Sequence, residues 1–161
     1  MRKLSMLAFC VFLSVAAGRL QARDYVLGWG GRIGATLDPD QVHLGVHADL
    51  GEIAGRVRVQ PNLEVGLGSD RTQIAVNPEV IYLFTARERW TPYAGGGLGI
   101  NIVKFDKTAP GADNSELEVG LNLLGGIETK ISSNSRFFAE VKFGIGDSPE
   151  VKFTAGFTIL Q

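Results

Sequence analysis

Cysteine is all but missing from this 161-residue chain, and Cys10 is the only one. It lies so near the N-terminus that a chain shedding its first residues has no disulfide to hold a fold together. An excess of one charge is missing too: 16 Lys and Arg stand against 17 Asp and Glu, a formal net charge of −1. Nothing in that balance suggests a nucleic-acid partner. Beyond the first residues no apolar run approaches the roughly 20 residues of a spanning helix, which excludes a helical membrane protein. Charged residues make up only 20% of the chain and hydrophobic ones 45%, which argues against intrinsic disorder. Glycine is the residue in excess, 21 in all, and with no Gly-X-Y period it excludes collagen.

The N-terminus reads as a secretory signal peptide. Arg2 and Lys3 form a basic region ahead of the apolar stretch from Leu4 to Ala17. Cleavage fits after Gly18, with Ala16 at the −3 position, or after Ala22, with Leu20 there. The expected division is a cleaved segment 1–22 and one domain over 23–161. The apolar stretch is short for a retained anchor. Cys10 follows the large Phe9 inside the apolar core of the signal, so lipidation there is not expected. Removing 22 residues leaves 139, one domain's worth, with 13 basic and 17 acidic residues and a charge of −4.

After the signal the hydrophobic period is two. From Arg56 to Leu67 the residues Val57, Val59, Pro61, Leu63, Val65 and Leu67 share one face; Arg56, Arg58, Gln60, Asn62, Glu64 and Gly66 share the other. After a turn at 68–70 the pattern repeats from Thr72 to Phe84. Further strands are expected at about Tyr25–Ala35, Gln41–Asp49, Pro92–Lys104, Glu116–Lys130, Arg136–Ile145 and Val151–Leu160, divided by breaker-rich turns. Eight strands with short connections predict an all-β fold, an eight-stranded antiparallel up-and-down barrel.

Three features favour a transmembrane β-barrel over a soluble one. Several strands are longer than the usual 5 or 6 residues, and a tilted strand needs about 9–11 to cross a bilayer. Glycines gather on the polar face, at 28, 30, 34, 45, 66, 95, 97, 99, 120, 126, 144 and 156, where a narrow lumen needs small residues beside large charged ones. The polar face also balances its charge, with Arg32, Arg56, Arg58, Lys142 and Lys152 against Glu64, Glu79, Glu118, Glu128 and Glu140. That balance permits pairing inside a filled lumen. Pro61 and Pro78 cannot donate ladder bonds, and bulges would absorb them. Aromatic girdles are expected from Tyr25, Tyr82, Phe84, Trp90 and Tyr93 at one end and from Phe105, Phe143 and Phe153 at the other.

The stretch Pro92-Tyr93-Ala94-Gly95-Gly96-Gly97-Leu98-Gly99 resembles the Pro-Tyr-x-Gly-x-Gly-x-Gly strand of small bacterial outer-membrane β-barrel proteins, the OmpA/OmpX-like group. Thr154, Gly156 and Ile159 resemble that group's C-terminal assembly signal, although the chain ends in Gln161 where the group usually ends in Phe or Trp. The resemblance implies an eight-stranded outer-membrane barrel of a Gram-negative bacterium, porin-like in architecture. Expected partners are outer-membrane lipid, lipopolysaccharide and the barrel-assembly machinery, for a monomer. The N-terminus is expected on the periplasmic side with four loops outward, Asp106 to Ser115 the longest and Arg87–Arg89 on the inner side.

Candidate chemistry is sparse. His43 and His47 fall on the polar face about 13 Å apart, too far to share a metal ion. Ser69, Ser148 and Glu150 lie on the outer side with His43, but no Ser–His spacing typical of hydrolases appears, and two hydrogen-bonded lumen histidines are expected instead. No catalytic, cofactor-binding or metal-ligating residue is assigned, and the chain reads as non-enzymatic. The glycine clusters precede no helix, so the phosphate-loop readings fail. Seven loop acids, Asp38, Asp40, Asp70, Asp106, Asp113, Asp147 and Glu150, against Arg71 and Lys107, read as solvated turn formers, with divalent-cation binding as the sharper alternative. The alternative to the membrane barrel is a soluble periplasmic lipocalin-like carrier of a small apolar ligand, with Val57, Val65, Ile74 and Val80 lining its lumen.

Overall fold

Strict alternation forces one face of every strand inward and the other outward, and here the inward face is the polar one. The computed structural model describes residues 28–86, 88–105 and 115–161. The expected signal segment 1–22, Tyr25 and most of the Asp106–Ser115 connection lie outside the described residues. Among the described residues eleven strands occur: β1 (Gly28–Leu37), β2 (Asp40–Asp49), β3 (Glu52–Ala54), β4 (Val57–Val59), β5 (Asn62–Gly68), β6 (Arg71–Asn77), β7 (Glu79–Leu83), β8 (Trp90–Phe105), β9 (Ser115–Ser132), β10 (Ser135–Gly146) and β11 (Val151–Leu160). All pair antiparallel, β1 with β11 and β8 with β9, so the sheet closes on itself. Together β4 and β5 form the third barrel strand, and β6 and β7 the fourth. The result is a closed eight-stranded antiparallel barrel with no helix among the described residues.

The third and fourth strands are split by Pro61 and Pro78, and no bulge is used. Asn62 pairs with Asn77 on one side of the break and Val59 with Val80 on the other. The register is therefore continuous, and the two prolines stand opposite each other. Each keeps its carbonyl in use, accepting from Ala48 N–H at 3.0 Å (Pro61) and from Leu98 N–H at 3.3 Å (Pro78). Strand β3 was not expected; Gly51 and Arg56, both at positive φ, let residues 50–57 fold into a small extra hairpin.

Many large apolar side chains are exposed, among them Trp29, Ile33, Leu44, Val65, Ile74, Leu121, Phe153 and Phe157, while the buried set is dominated by polar and charged groups. That inversion is what a barrel meeting lipid on its outer face requires. It also removes the carrier's lining: Val65, Ile74 and Val80 are exposed on the outer face and Val57 is only half-buried, because the alternation that buries Arg58, Glu64 and Glu79 points these residues the other way. Tyr82 and Phe84 lie edge to face at 5.2 Å on the outer surface. Tyr93 does not join that girdle. It is 4% exposed and points into the lumen, being in phase with Gly95 and Gly97.

The lumen fills by pairing glycine on one strand with a bulky side chain directly opposite on the next. Gly34 faces His43, and Gly126 faces Tyr93. A Cβ at Gly34 would lie 2.6 Å from His43 Nε2, and one at Gly126 would lie 2.5 Å from the Tyr93 ring and hydroxyl. Each large side chain thus lies across bare backbone, and the interior closes with no room for an added carbon.

Candidate functional site

Among the described residues the strands deliver ten buried charged side chains into the lumen in two groups, each with formal charges that cancel. At mid-height Arg32 (β1), Lys142 (β10) and Lys152 (β11) meet Glu64 (β5), Glu79 (β7) and Glu140 (β10). Arg32 contacts Glu64 at 3.1 Å and Glu140 at 3.4 Å. Lys152 contacts Glu64 at 3.0 Å. Lys142 bonds Glu79 and lies 3.7 Å from Glu64 and 3.9 Å from Glu140. Neutral donors complete the carboxylates: Tyr93 O–H donates to Glu140 at 3.1 Å, and Asn62 Nδ2 donates to Glu79 at 2.7 Å. From Asn62 a relay of amides runs on through Asn77 to Asn122.

The second group lies towards the end carrying the C-terminus, hereafter the terminal end. Arg58 (β4) grips Glu128 (β9) through two bonds of 2.7 and 3.0 Å and lies 3.5 Å from Asp49 (β2). Arg136 (β10) bonds Asp49 and reaches Glu128 at 3.4 Å. The four side chains form a closed ring. An apolar cluster of Ile81, Leu83, Tyr93, Leu124 and Phe138 packs inside the same lumen. In register, Ile81, Gly95 and Leu124 stand between Arg58 on β4 and Lys142 on β10. Phe138 also carries the Arg32 guanidinium over its face at 5.3 Å and meets the edge of His47 at 5.2 Å.

Two members of the expected charge set lie elsewhere. Arg56 is exposed in the turn after β3, its φ of 59° having broken the alternation, and it donates to Thr85. Glu118 keeps its inward phase but lies at the far rim, half-buried in a cleft with Arg71 and Asp147. Asp49 and Arg136 take their places. Both share the inward phase of their strands, but they stand at strand ends, where the sequence alone reads Asp as a turn former.

His43 and His47 are buried and hydrogen-bonded, as expected. The His43 ring nitrogens share hydrogen bonds with Thr36 (3.2 Å) and Thr154 (3.0 Å), and His47 Nε2 shares one with Thr158 at 2.8 Å. The structure brings no serine to either imidazole among these bonds. Ser148 lies at the far rim, its Oγ buried and without a hydrogen-bond partner. Among the described residues no group of three or more His, Cys, Asp or Glu side chains is placed to hold a metal ion. The terminal end opens into a cavity of about 1060 Å³ floored by the four-charge ring and walled by Leu83, Phe84 and Leu160.

No family model matches this chain, and no curated protein matches it in sequence. Solved structures do match. The N-terminal β-barrel domain of Pseudomonas aeruginosa OprF superposes with a TM-score of 0.69 at 11% identity, covering 85% of this chain and 98% of that domain. The fold is that of the eight-stranded transmembrane β-barrels. Neisserial surface protein A gives 0.62 at 16% identity, covering 84% of this chain and 95% of its own. A de novo designed transmembrane β-barrel gives 0.60 at 15%, covering 88% of this chain and all of that one. Identities this low show a shared architecture, and the barrel pattern survives because it asks for phase and not for particular residues.

Proposed function

We propose that this chain is a non-enzymatic barrel of the Gram-negative outer membrane with a side-chain-filled lumen, serving a structural or surface-interaction role in the envelope. The observation that carries this reading is the lumen itself. Its charges pair with one another in two neutral groups, which supports a packed interior over a charged substrate site. Eight strands enclose little more space than side chains need, and these side chains fill it beyond the terminal cavity. The apolar outer face meets lipid, with lipopolysaccharide in the outer leaflet, and the terminal end faces the periplasm after cleavage of residues 1–22. The histidines support a non-catalytic reading, since His43 is held through both ring nitrogens by threonines. The barrel reaches the membrane through the assembly machinery and works as a monomer.

Membrane fractionation tests the reading. The protein should stay with the envelope after carbonate extraction and migrate faster unheated than heated on detergent gels. Recovery as a water-soluble monomer from the periplasm would refute it.

A further inference from the structure

The far mouth of the lumen is as dry as its centre. Asn101 and Val103 face inward near the far end of β8, yet they are 1% and 0% exposed. Asn101 is tied to the turn joining β10 to β11. Residues 147–150 fold back into the barrel instead of standing clear of the rim, and Ser148 and Pro149 are buried there. Asn101 Nδ2 donates to the Asp147 carbonyl at 3.3 Å. Across the mouth the Glu150 N–H donates to the Asp38 carbonyl at 3.1 Å.

The wall beneath the turn is shaped to receive it. Gly99, Gly120 and Gly146 are successive register partners across β8, β9 and β10. A Cβ at Gly99 would stand 2.6 Å from Ser148 Oγ, and one at Gly120 would stand 2.5 Å from it. Ser148 Oγ has no hydrogen-bond partner, so its position is set by this bare seat and by the backbone ties of the turn, not by bonds of its own. The cleft that remains beside it measures about 180 Å³.

We propose that residues 147–150 are a plug seated in the far mouth, narrowing it to a small cleft while the terminal end stays open. The plug is held by a few bonds outside the strand ladder. It therefore lifts at less cost than unfolding the barrel, and lifting it wets Asn101 from the far side. The proposal does not depend on which side of a membrane the far end faces.

Thiol reactivity tests it. In a Cys10→Ser background, Ser148→Cys and Asp147→Cys are each reacted with a maleimide in the folded barrel, with folding followed by heat-modifiable gel mobility. Cysteine suits the buried 148 position because a thiol does not need a partner there. Ser148→Cys should react at least about tenfold more slowly than its exposed neighbour Asp147→Cys. Adding Gly99→Val, whose Cβ meets the Ser148 hydroxyl first and then the Asn122 amide, should bring the two rates together in a barrel that still folds. If that variant does not fold, Asn101→Ala, which removes the tie to the Asp147 carbonyl, should raise the rate at 148 by at least about threefold. Equal rates at 147 and 148 in the parent, or a slow rate at 148 that the folded variants leave unchanged, would overturn the plug.

Discussion

Replacing Glu79 by leucine should destabilise the barrel more than any substitution of a carboxylate at its rim. Glu79 is 1% exposed, bonds the Lys142 ammonium through one oxygen and accepts from Asn62 Nδ2 through the other. Leucine leaves Lys142 with Glu64 and Glu140 at 3.7 and 3.9 Å, and gives the mid-height group one positive charge too many. Removing one partner of a buried pair costs about 3–5 kcal/mol, and the two carboxylates still near Lys142 place this case at about 3 kcal/mol. Adding Lys142→Met removes the stranded charge and restores neutrality. Apolar replacement of a whole buried pair is often neutral, so the double variant should regain about 2 kcal/mol of the loss. Glu118→Leu, at the half-buried far rim and outside both groups, should cost less than about 1 kcal/mol. The assay is equilibrium denaturant unfolding in detergent or vesicles, read by heat-modifiable mobility and tryptophan fluorescence, with the slope compared between variants. Equal losses for Glu79→Leu and Glu118→Leu, or a double variant less stable than Glu79→Leu alone, would refute the neutral-group account.

Three further outcomes are expected. The unmodified protein in a planar bilayer should stay electrically silent, because its lumen charges pair across the barrel; steady ion-selective conductance would make it a small channel. Tyr93→Phe, which removes the hydroxyl donor to Glu140, should lower stability by about 1.5–3 kcal/mol, the range for a bond to a charged group; an unchanged unfolding midpoint would show that Glu140 does not rely on it. Protease added to intact cells should cut first within Asp106–Ser115, and cleavage confined to Arg87–Arg89 would show that the terminal end faces outward.

Strand phase was legible because the alternation is strict where it matters. From Arg58 to Leu67 each inward residue is polar or glycine and each outward one apolar, and a one-residue slip would turn the lumen charges into lipid. Phase alone, however, does not say where a strand stops. Arg56 continues the alternation on paper, but the chain turns at that residue. Glu118 is in phase but stands too far along β9 to enter the dry region. Tyr93 could have been found: it is two residues from Gly95, and its opposite residue Gly126 is itself a lumen glycine. The opposition of Pro61 to Pro78 could not, because it depends on the register between strands.

The lumen holds five bases and five acids, as expected, with Arg136 and Asp49 in place of Arg56 and Glu118. This is not coincidence, since neutrality belongs to the enclosed space and not to any particular pair. The structure sharpens that condition, because neutrality holds group by group, three against three at mid-height and two against two at the terminal end. With Ile81 and Leu124 in the register steps between Arg58 and Lys142, a charge stranded in one group has no partner bonded to it from the other. A substitution at Asp49 should therefore be rescued by a change at Arg136 or Arg58, and not by one at Arg32, Lys142 or Lys152. Only a network in which the two groups exchange partners would permit the second kind of rescue, and no ion pair between them is found among the described residues.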